Sequence, residues 1–362
     1  MTEIDELIHE LVKKGGSDLH LSAGRMPLLR VNGELSPLVS CVLNEEETKR
    51  LLYEIMPERN RREFEARNDT DFIYEIPQCA RLRANVFRDR CGVGGAFRVI
   101  PATILTAAQL NLPAAITDLC HLSKGLVVVT GPTGSGISTT LAAMVDFINQ
   151  NLNQHIITIE DPIEFIHADV KSRVNQREIH SHTESFAGAL RAALRQDPNI
   201  LLVGEMRDLE TIDVALDAAE TGQLVLGTLH TNSAAGAADR IIDAFPSGRQ
   251  NQVRATLARC LKGVVAQVLC RRKEQGRIAA FEVLTVDRGI ATLIRESRTQ
   301  QIHSAMQAGG PGTQVLNEAL VSLVRTGVVE PAEALRKAVD RDDLAAKYRQ
   351  IGIPVPNVGA AA

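Results

Sequence analysis

Gly131-Pro132-Thr133-Gly134-Ser135-Gly136-Ile137-Ser138-Thr139 matches the phosphate-loop pattern G-x-x-x-x-G-K-[ST] at every defined position except the lysine, where Ile137 stands. In such a loop the glycines let backbone N–H groups turn inward on a phosphate, and a hydroxyl such as that of Ser138 reaches Mg2+. The missing ammonium is the group that meets the β and γ oxygens, where transition-state charge collects. Residues 131–139 therefore predict an ATP site with weakened binding and chemistry. A charge-assisted hydrogen bond contributes about 1.5–3 kcal/mol, so losing the lysine's phosphate contacts costs roughly one to two decades of ATP affinity. A β-branched side chain there also brings apolar bulk toward the polyanion.

The flanks supply the context that the motif requires. The apolar run Leu126-Val127-Val128-Val129-Thr130 precedes the loop, and Leu141, Met144, Val145 and Ile148 follow it at i, i+3, i+4 and i+7. That is a buried parallel strand feeding an amphipathic helix. Further strands are predicted over 155–160, 199–205 and 223–230, alternating with helical or loop segments. The alternation implies a three-layer parallel α/β domain. A helix over Phe186 to Leu194 ends at Asp197-Pro198. Another is predicted from Val253 through Leu257, Leu261, Val264 and Val265 to Val268, with Arg249, Arg254, Arg259, Lys262, Arg271, Arg272 and Lys273 on or beside it. Those charges mean either a solvated helix face or an interdomain or intersubunit contact.

A small α+β module opens the chain. Ile4, Leu7, Ile8, Leu11 and Val12 lie at helical spacing and Gly15-Gly16 stops that helix; Ser17 to Leu21 then begins a strand. Asn32-Gly33, between two short apolar runs, predicts a tight hairpin turn. A helix near 45–54 and strands around 71–76, 80–88 and 94–100 complete the module. The expected domains are 1–100, a linker over 101–113, an ATPase domain with a helical C-terminal part over 114–353, and a disordered tail over 354–362.

Composition bounds the rest. The 362 residues are 44% apolar, enough for about two or three cored domains. Net charge is −4, so the chain as a whole shows no footprint for nucleic acid, and three Tyr, nine Phe and no Trp offer little stacking surface. Six scattered cysteines without a C-x-x-C pair indicate neither a zinc site nor a disulfide framework and point to a reducing cytoplasm. The acidic N-terminus is unlike a signal peptide, and no apolar run approaches the roughly 18 residues needed to span a bilayer.

Ligands of doubly wound sheets bind beyond the carboxyl ends of the strands. At those ends stand Glu160, Asp161 and Glu164 after the second strand, Glu205 with Arg207 and Asp208 after the third, and His230 after the fourth. Phosphoryl transfer to water needs a phosphate cradle, a metal, a group that orients water, and cations on the developing charge. Glu205 is placed to hold Mg2+ through water, together with the Ser138 hydroxyl. Glu164 is placed to polarise the attacking water and His230 to sense the γ-phosphate. For Glu160 and Asp161 a turn and helix cap beside Pro162 is an equal reading. Arg81, Arg83, Arg88, Arg90 and Arg98 crowd two strands of the first module, either as a solvated face or as a source of arginine fingers.

These motifs resemble the type IV pilus retraction ATPases (PilT family) of the type II/IV secretion ATPase superfamily. Ser17-Asp18-Leu19-His20-Leu21 is similar to the family's N-terminal signature, and Ile157 to Phe165 (ITIEDPIEF) to its Asp box. Leu201 to Asp208 (LLVGEMRD) resembles its Walker B segment, and Gly227 to Ala234 (GTLHTNSA) its His box. Gly289 to Glu296 looks like a variant of the AIRNLIRE element associated with retraction, differing at its opening and middle residues. The resemblance implies a PAS-like N-terminal α+β domain followed by a RecA-like P-loop ATPase domain, in a homohexameric ring that binds ATP and Mg2+ and turns an inner-membrane platform protein. It implies Glu164 as catalytic glutamate, Glu205 as Walker B glutamate, His230 as the His-box residue and Arg83 and Arg98 as arginine fingers. The expected place is the cytoplasm, peripheral at the inner membrane. The alternatives are a pilus-assembly or type II secretion ATPase, although the four-cysteine zinc module common in those relatives is lacking, or an inactive nucleotide-binding ring component that modulates an active paralogous ATPase.

Overall fold

A computed structural model describes residues 2–31, 33–38, 41–100 and 103–356. Asn32 of the expected hairpin turn, the first two residues of the expected linker and 357–362 of the expected tail lie outside the described residues. The chain divides into two compact units, Met1–Thr103 with Glu164–Ile166, and Ile104–Ile163 with His167–Ala362.

In the first unit α1 (Glu3–Lys13) begins at a capping box: the Asp5 N–H donates to the Thr2 hydroxyl and the Thr2 N–H to the Asp5 carboxylate. Its Ile4, Ile8 and Leu11 are wholly buried. There follow β1 (Asp18–Ser22), β2 (Leu28–Val31), β3 (Glu34–Pro37), α2 (Glu45–Ile55), α3 (Glu58–Arg67), β4 (Asp69–Ile76), β5 (Ala80–Asp89) and β6 (Gly92–Ile100). The six strands form an antiparallel sheet in the order β3-β2-β1-β6-β5-β4. Leu19, Leu21, Leu82, Ala84, Val86 and Phe97 pack with Ile4, Ile8, Leu52 and Phe64 in one core. The helix α3 is absent from the sequence expectation: in ERNRREFEAR only Asn60 and Phe64 are buried, too few to make an apolar stripe.

The second unit runs α4 (Ala114–Cys120), β7 (Gly125–Thr130), α5 (Ile137–Asn151), β8 (His155–Glu160), β9 (Arg173–Glu178), α6 (Phe186–Ala193), β10 (Ile200–Val203), α7 (Leu209–Thr221), β11 (Leu224–Leu229), α8 (Ala234–Asp243), α9 (Ser247–Cys260), β12 (Leu261–Arg271) and β13 (Arg277–Thr285). The helices α10 (Arg288–Arg295), α11 (Ile302–Gln307), α12 (Leu316–Arg325), α13 (Pro331–Lys337) and α14 (Arg341–Gln350) complete it. The sheet order is β13-β12-β7-β11-β10-β8-β9, parallel throughout except for β13. Period-two alternation splits β7: Leu126 and Val128 join one core with residues of α6 to α11, while Val127 and Val129 join the opposite core with residues of α4 and α5. Both faces are covered, and the central strands accordingly read as continuous apolar runs.

One sequence expectation is overturned here. The helix predicted from Val253 to Val268 stops at Cys260, and Leu261–Arg271 is the strand β12, paired in parallel with β7. Leu261, Val264 and Ala266 face one core and Val265 the other. A run buried on both sides satisfies helical and strand spacing alike, and here the partner strand decides. The nearby charges also find a local explanation, since Arg249 and Arg259 on α9 pair with Asp213 and Glu220 on α7. Strands β10 and β11 are shorter than expected, which leaves Glu205 and His230 beyond their strand ends.

Candidate functional site

The ends of β7, β10 and β11 all lie on the carboxyl edge of the parallel sheet. Beyond β7 the backbone enters the glycine loop. Gly136 sits at φ +91° as the N-cap of α5, a conformation that L side chains rarely adopt. At Gly131 a Cβ would stand 2.5 Å from the Gln267 carbonyl oxygen, so only glycine passes there. No side chain caps α5, which leaves its first N–H groups without an intrahelical partner and the positive end of the helix dipole open to an anion. Pro132, Thr133, Gly134 and Ser138 are exposed, Thr139 is half-buried and Ser135 is buried, its hydroxyl without a partner among the described residues. An exposed hydroxyl in the first turn of α5, an open helix start and an orphaned Ser135 Oγ fit a phosphate with its metal.

Ile137 is half-buried and packs against the core shared by Leu141, Met144 and Val145. Part of its apolar bulk is therefore taken up by the core that α5 covers. What it fails to provide is charge: α5 has no basic residue in its first turn.

Glu205 and His230 are brought together. His230 Nε2 lies 2.8 Å from Glu205 Oε1, and the same oxygen accepts from Arg207 Nε. The Glu205 side chain is 23% exposed and that of His230 51%, so both remain open to a ligand. Thr228 fastens the two strand ends, its hydroxyl donating to the Gly204 carbonyl while its own carbonyl accepts from the Met206 N–H. Glu164, half-buried, falls in the segment after β8 that groups with the first unit, outside the hydrogen-bonded set of Glu205, Arg207 and His230. The Glu160 carboxylate is held by the Thr158 hydroxyl at 2.6 Å and by Gln176 Nε2 at 3.2 Å.

In the first unit Arg83 and Arg98 are direct register partners across β5 and β6, so their guanidinium groups leave the same face of the sheet. Arg83 pairs with Asp71 at 3.3 Å and Arg98 donates to Asp18 at 2.8 Å. Arg98 remains 76% exposed and Arg83 49%.

Two residues of this edge escaped the sequence reading. Thr130, wholly buried at the end of β7, bonds to the chain on both sides of His230. Gln267 on β12 donates its side-chain amide to the Ser135 carbonyl at 2.7 Å. Each carries the same weak signal, a polar residue inside an otherwise apolar strand. Among the described residues no helix is long and apolar enough to cross a membrane.

Comparison with known proteins shows what the chain is similar to. The profile of the type II/IV secretion system protein family matches residues 1–336. A type IV pilus retraction ATPase of Pseudomonas aeruginosa, PilT, is 47% identical over 93% of this chain and 98% of its own length. The type IV pilus ATPase PilU of the same organism is 39% identical over 94% of this chain and 90% of its own. A crystal structure of the pilus retraction motor PilT with bound ADP superposes with a TM-score of 0.88 at 45% identity, covering 96% of this chain and 99% of that one. The two-part α/β architecture, an antiparallel N-terminal sheet domain and a parallel RecA-like ATPase domain, matches that structure.

Proposed function

The chain belongs to the type II/IV secretion system protein family, and from that membership we propose that it is an ATPase that drives type IV pilus retraction, with its turnover held low by Ile137. The observation that carries the reading is the match over almost the full length of a retraction ATPase, together with the open glycine loop and the Glu205–His230 pair on one sheet edge.

In this reading the N–H groups of 131–139 and the start of α5 hold the phosphates of ATP. The Ser138 hydroxyl and the Glu205 carboxylate would hold Mg2+, which would supply positive charge to the phosphates. Glu164 polarises the attacking water and His230, anchored on Glu205, senses the γ-phosphate. Residues 1–100 form the domain that supplies Arg83 and Arg98 as fingers, and 114–353 the ATPase domain, joined by the linker 101–113. The working form is a homohexamer in the cytoplasm, peripheral at the inner membrane, acting on a platform protein. Ile137 removes the loop cation, so affinity and turnover both fall.

Isothermal calorimetry with ATP and Mg2+ on this chain and on Ile137→Lys, run beside steady-state ATPase assays, tests the reading. The variant is expected to bind about ten to a hundred times more tightly and to turn over at least about tenfold faster. Absence of nucleotide binding in both forms would overturn the reading; equal rates in both would remove the argument about the loop cation.

The absence of that cation also favours a second reading, an inactive ring component that modulates an active paralogue of the PilT or PilU kind. Mixing this chain with an active homologue distinguishes the two: poisoning or stimulation of the mixture's ATPase supports co-assembly, and simple additivity argues against it.

A further inference from the structure

The Thr130 hydroxyl is the junction between the phosphate loop and the loop that carries His230. Thr130 is wholly buried at the end of β7, and the next residue, Gly131, opens the glycine loop. Its Oγ1 lies 2.8 Å from the Leu229 carbonyl oxygen and 3.0 Å from that of Thr231, and it accepts from the Thr231 N–H at 2.8 Å. Thr231 Oγ1 stands a further 3.0 Å away. Every one of these contacts is to residue 229 or 231, so one side chain grips the backbone on both sides of His230.

The same tie continues outward. His230 Nε2 reaches Glu205 Oε1 at 2.8 Å, and Thr228 holds the Gly204 carbonyl just before that acid. The Thr130 hydroxyl has one proton to place among the Leu229 carbonyl, the Thr231 carbonyl and the Thr231 hydroxyl, while it accepts from the Thr231 N–H. These contacts join the residue that precedes the glycine loop to the backbone on either side of His230.

We infer that Thr130 is a positioning residue that couples phosphate-loop occupancy to the placement of His230 against Glu205. The inference rests on the nucleotide-site reading of 131–139. Valine at this position keeps the shape and removes the hydroxyl, whereas serine keeps the hydroxyl.

Hydrogen exchange of the full chain, with and without saturating ADP and Mg2+, tests the coupling through two segments, 131–139 and 229–233. In the wild type and in Thr130→Ser, ADP is expected to slow exchange in both. In Thr130→Val, 131–139 keeps its ADP-dependent protection, which also reports that the variant is folded, while the ADP-dependent change in 229–233 is lost. A purely structural role would raise exchange in 229–233 equally with and without ADP. Retention of the ADP-dependent change there in Thr130→Val overturns the coupling, as does a wild type protected only in 131–139. Loss of protection in both segments in Thr130→Val overturns it too, because Thr130 would then support the loop itself. No protection of 131–139 in the wild type overturns the nucleotide-site reading, and the coupling with it.

Discussion

Gln267 and Ser135 lie far apart in sequence, yet the Gln267 side-chain amide donates to the Ser135 carbonyl at 2.7 Å and ties the centre of the glycine loop to β12. Gln267 is 2% exposed, and among the described residues its side-chain Oε1 has no hydrogen-bond partner. The amide is thus committed to the loop at a cost that a leucine would not carry.

Gln267→Leu keeps the volume and leaves the Ser135 carbonyl without its donor. Part of that loss, about 1–3 kcal/mol, is offset by removing the unpartnered oxygen, so the expected net destabilisation is about 1 kcal/mol, or roughly 2–4 °C in Tm. Nucleotide affinity should fall as well, because the loop loses a fixed point. Thermal melts with and without ADP check both; an unchanged melt and an unchanged ADP-induced shift would remove the tether.

Glu205→Ala and His230→Ala, each made in the Ile137→Lys background, should slow ATP turnover, Glu205→Ala by about a hundredfold or more. The shared hydrogen bond makes the two losses non-additive, so the double variant should be little slower than Glu205→Ala alone. Steady-state ATPase assays on the four proteins measure the coupling directly. Full multiplication of the two effects would mean that the pair does not act as a unit.

Asp18 sits between Arg98 and Arg30, its side chain 9% exposed. Burial by itself raises a carboxyl pKa, but the hydrogen bonds from Arg98 and Ser17 and the Arg98 charge outweigh it and hold Asp18 below its ordinary value of 3.8. A depressed carboxyl contributes stability that is present above the unfolded value and is lost as pH falls through the folded one. Asp18→Asn should therefore cost about 1 kcal/mol near neutral pH, since both arginines are partly exposed and screened. The difference from wild type should shrink as pH falls below the ordinary carboxyl value of 3.8 and be lost as it passes through the lower folded one. Urea midpoints across that range decide it, and a gap independent of pH would exclude the ion pair as its cause.

Asp208 caps α7, its carboxylate accepting from the Thr211 N–H at 2.8 Å and from the Thr211 hydroxyl at 2.7 Å. Burial works against the charge, yet these donors keep its pKa below the ordinary carboxyl value. Asp208→Ala should cost about 1 kcal/mol, present at neutral pH and lost in acid, and Asp208→Asn should recover most of the neutral-pH loss. Chemical denaturation of the three proteins provides the comparison.

Several parts of the fold were legible because they are local. The run 126–130, the glycines of 131–136 and the stripe from Leu141 to Ile148 state strand, loop and helix within a couple of dozen residues, since backbone dihedral freedom and side-chain period are properties of neighbours. Acidic residues and a histidine just past apolar runs likewise marked the edge at which Glu205 and His230 now meet. Where burial is two-sided the local code fails: 261–268 fits helix and strand equally, and only its pairing with β7 makes it β12. The charged helix α3 fails in the opposite way, with Asn60 and Phe64 alone facing inward.

The chain's own order thus determined a parallel α/β domain with a phosphate loop lacking its cation, preceded by an antiparallel module. Only the tertiary structure decided that Thr130 grips the backbone around His230, that Gln267 holds Ser135, that Ile137 joins the core and that Arg83 faces Arg98. The Thr130 and Gln267 contacts join segments distant in sequence, Arg83 and Arg98 meet through the register of one hairpin, and Ile137 turns to the core that its own helix covers; no periodicity within a segment encodes which strand will lie beside it.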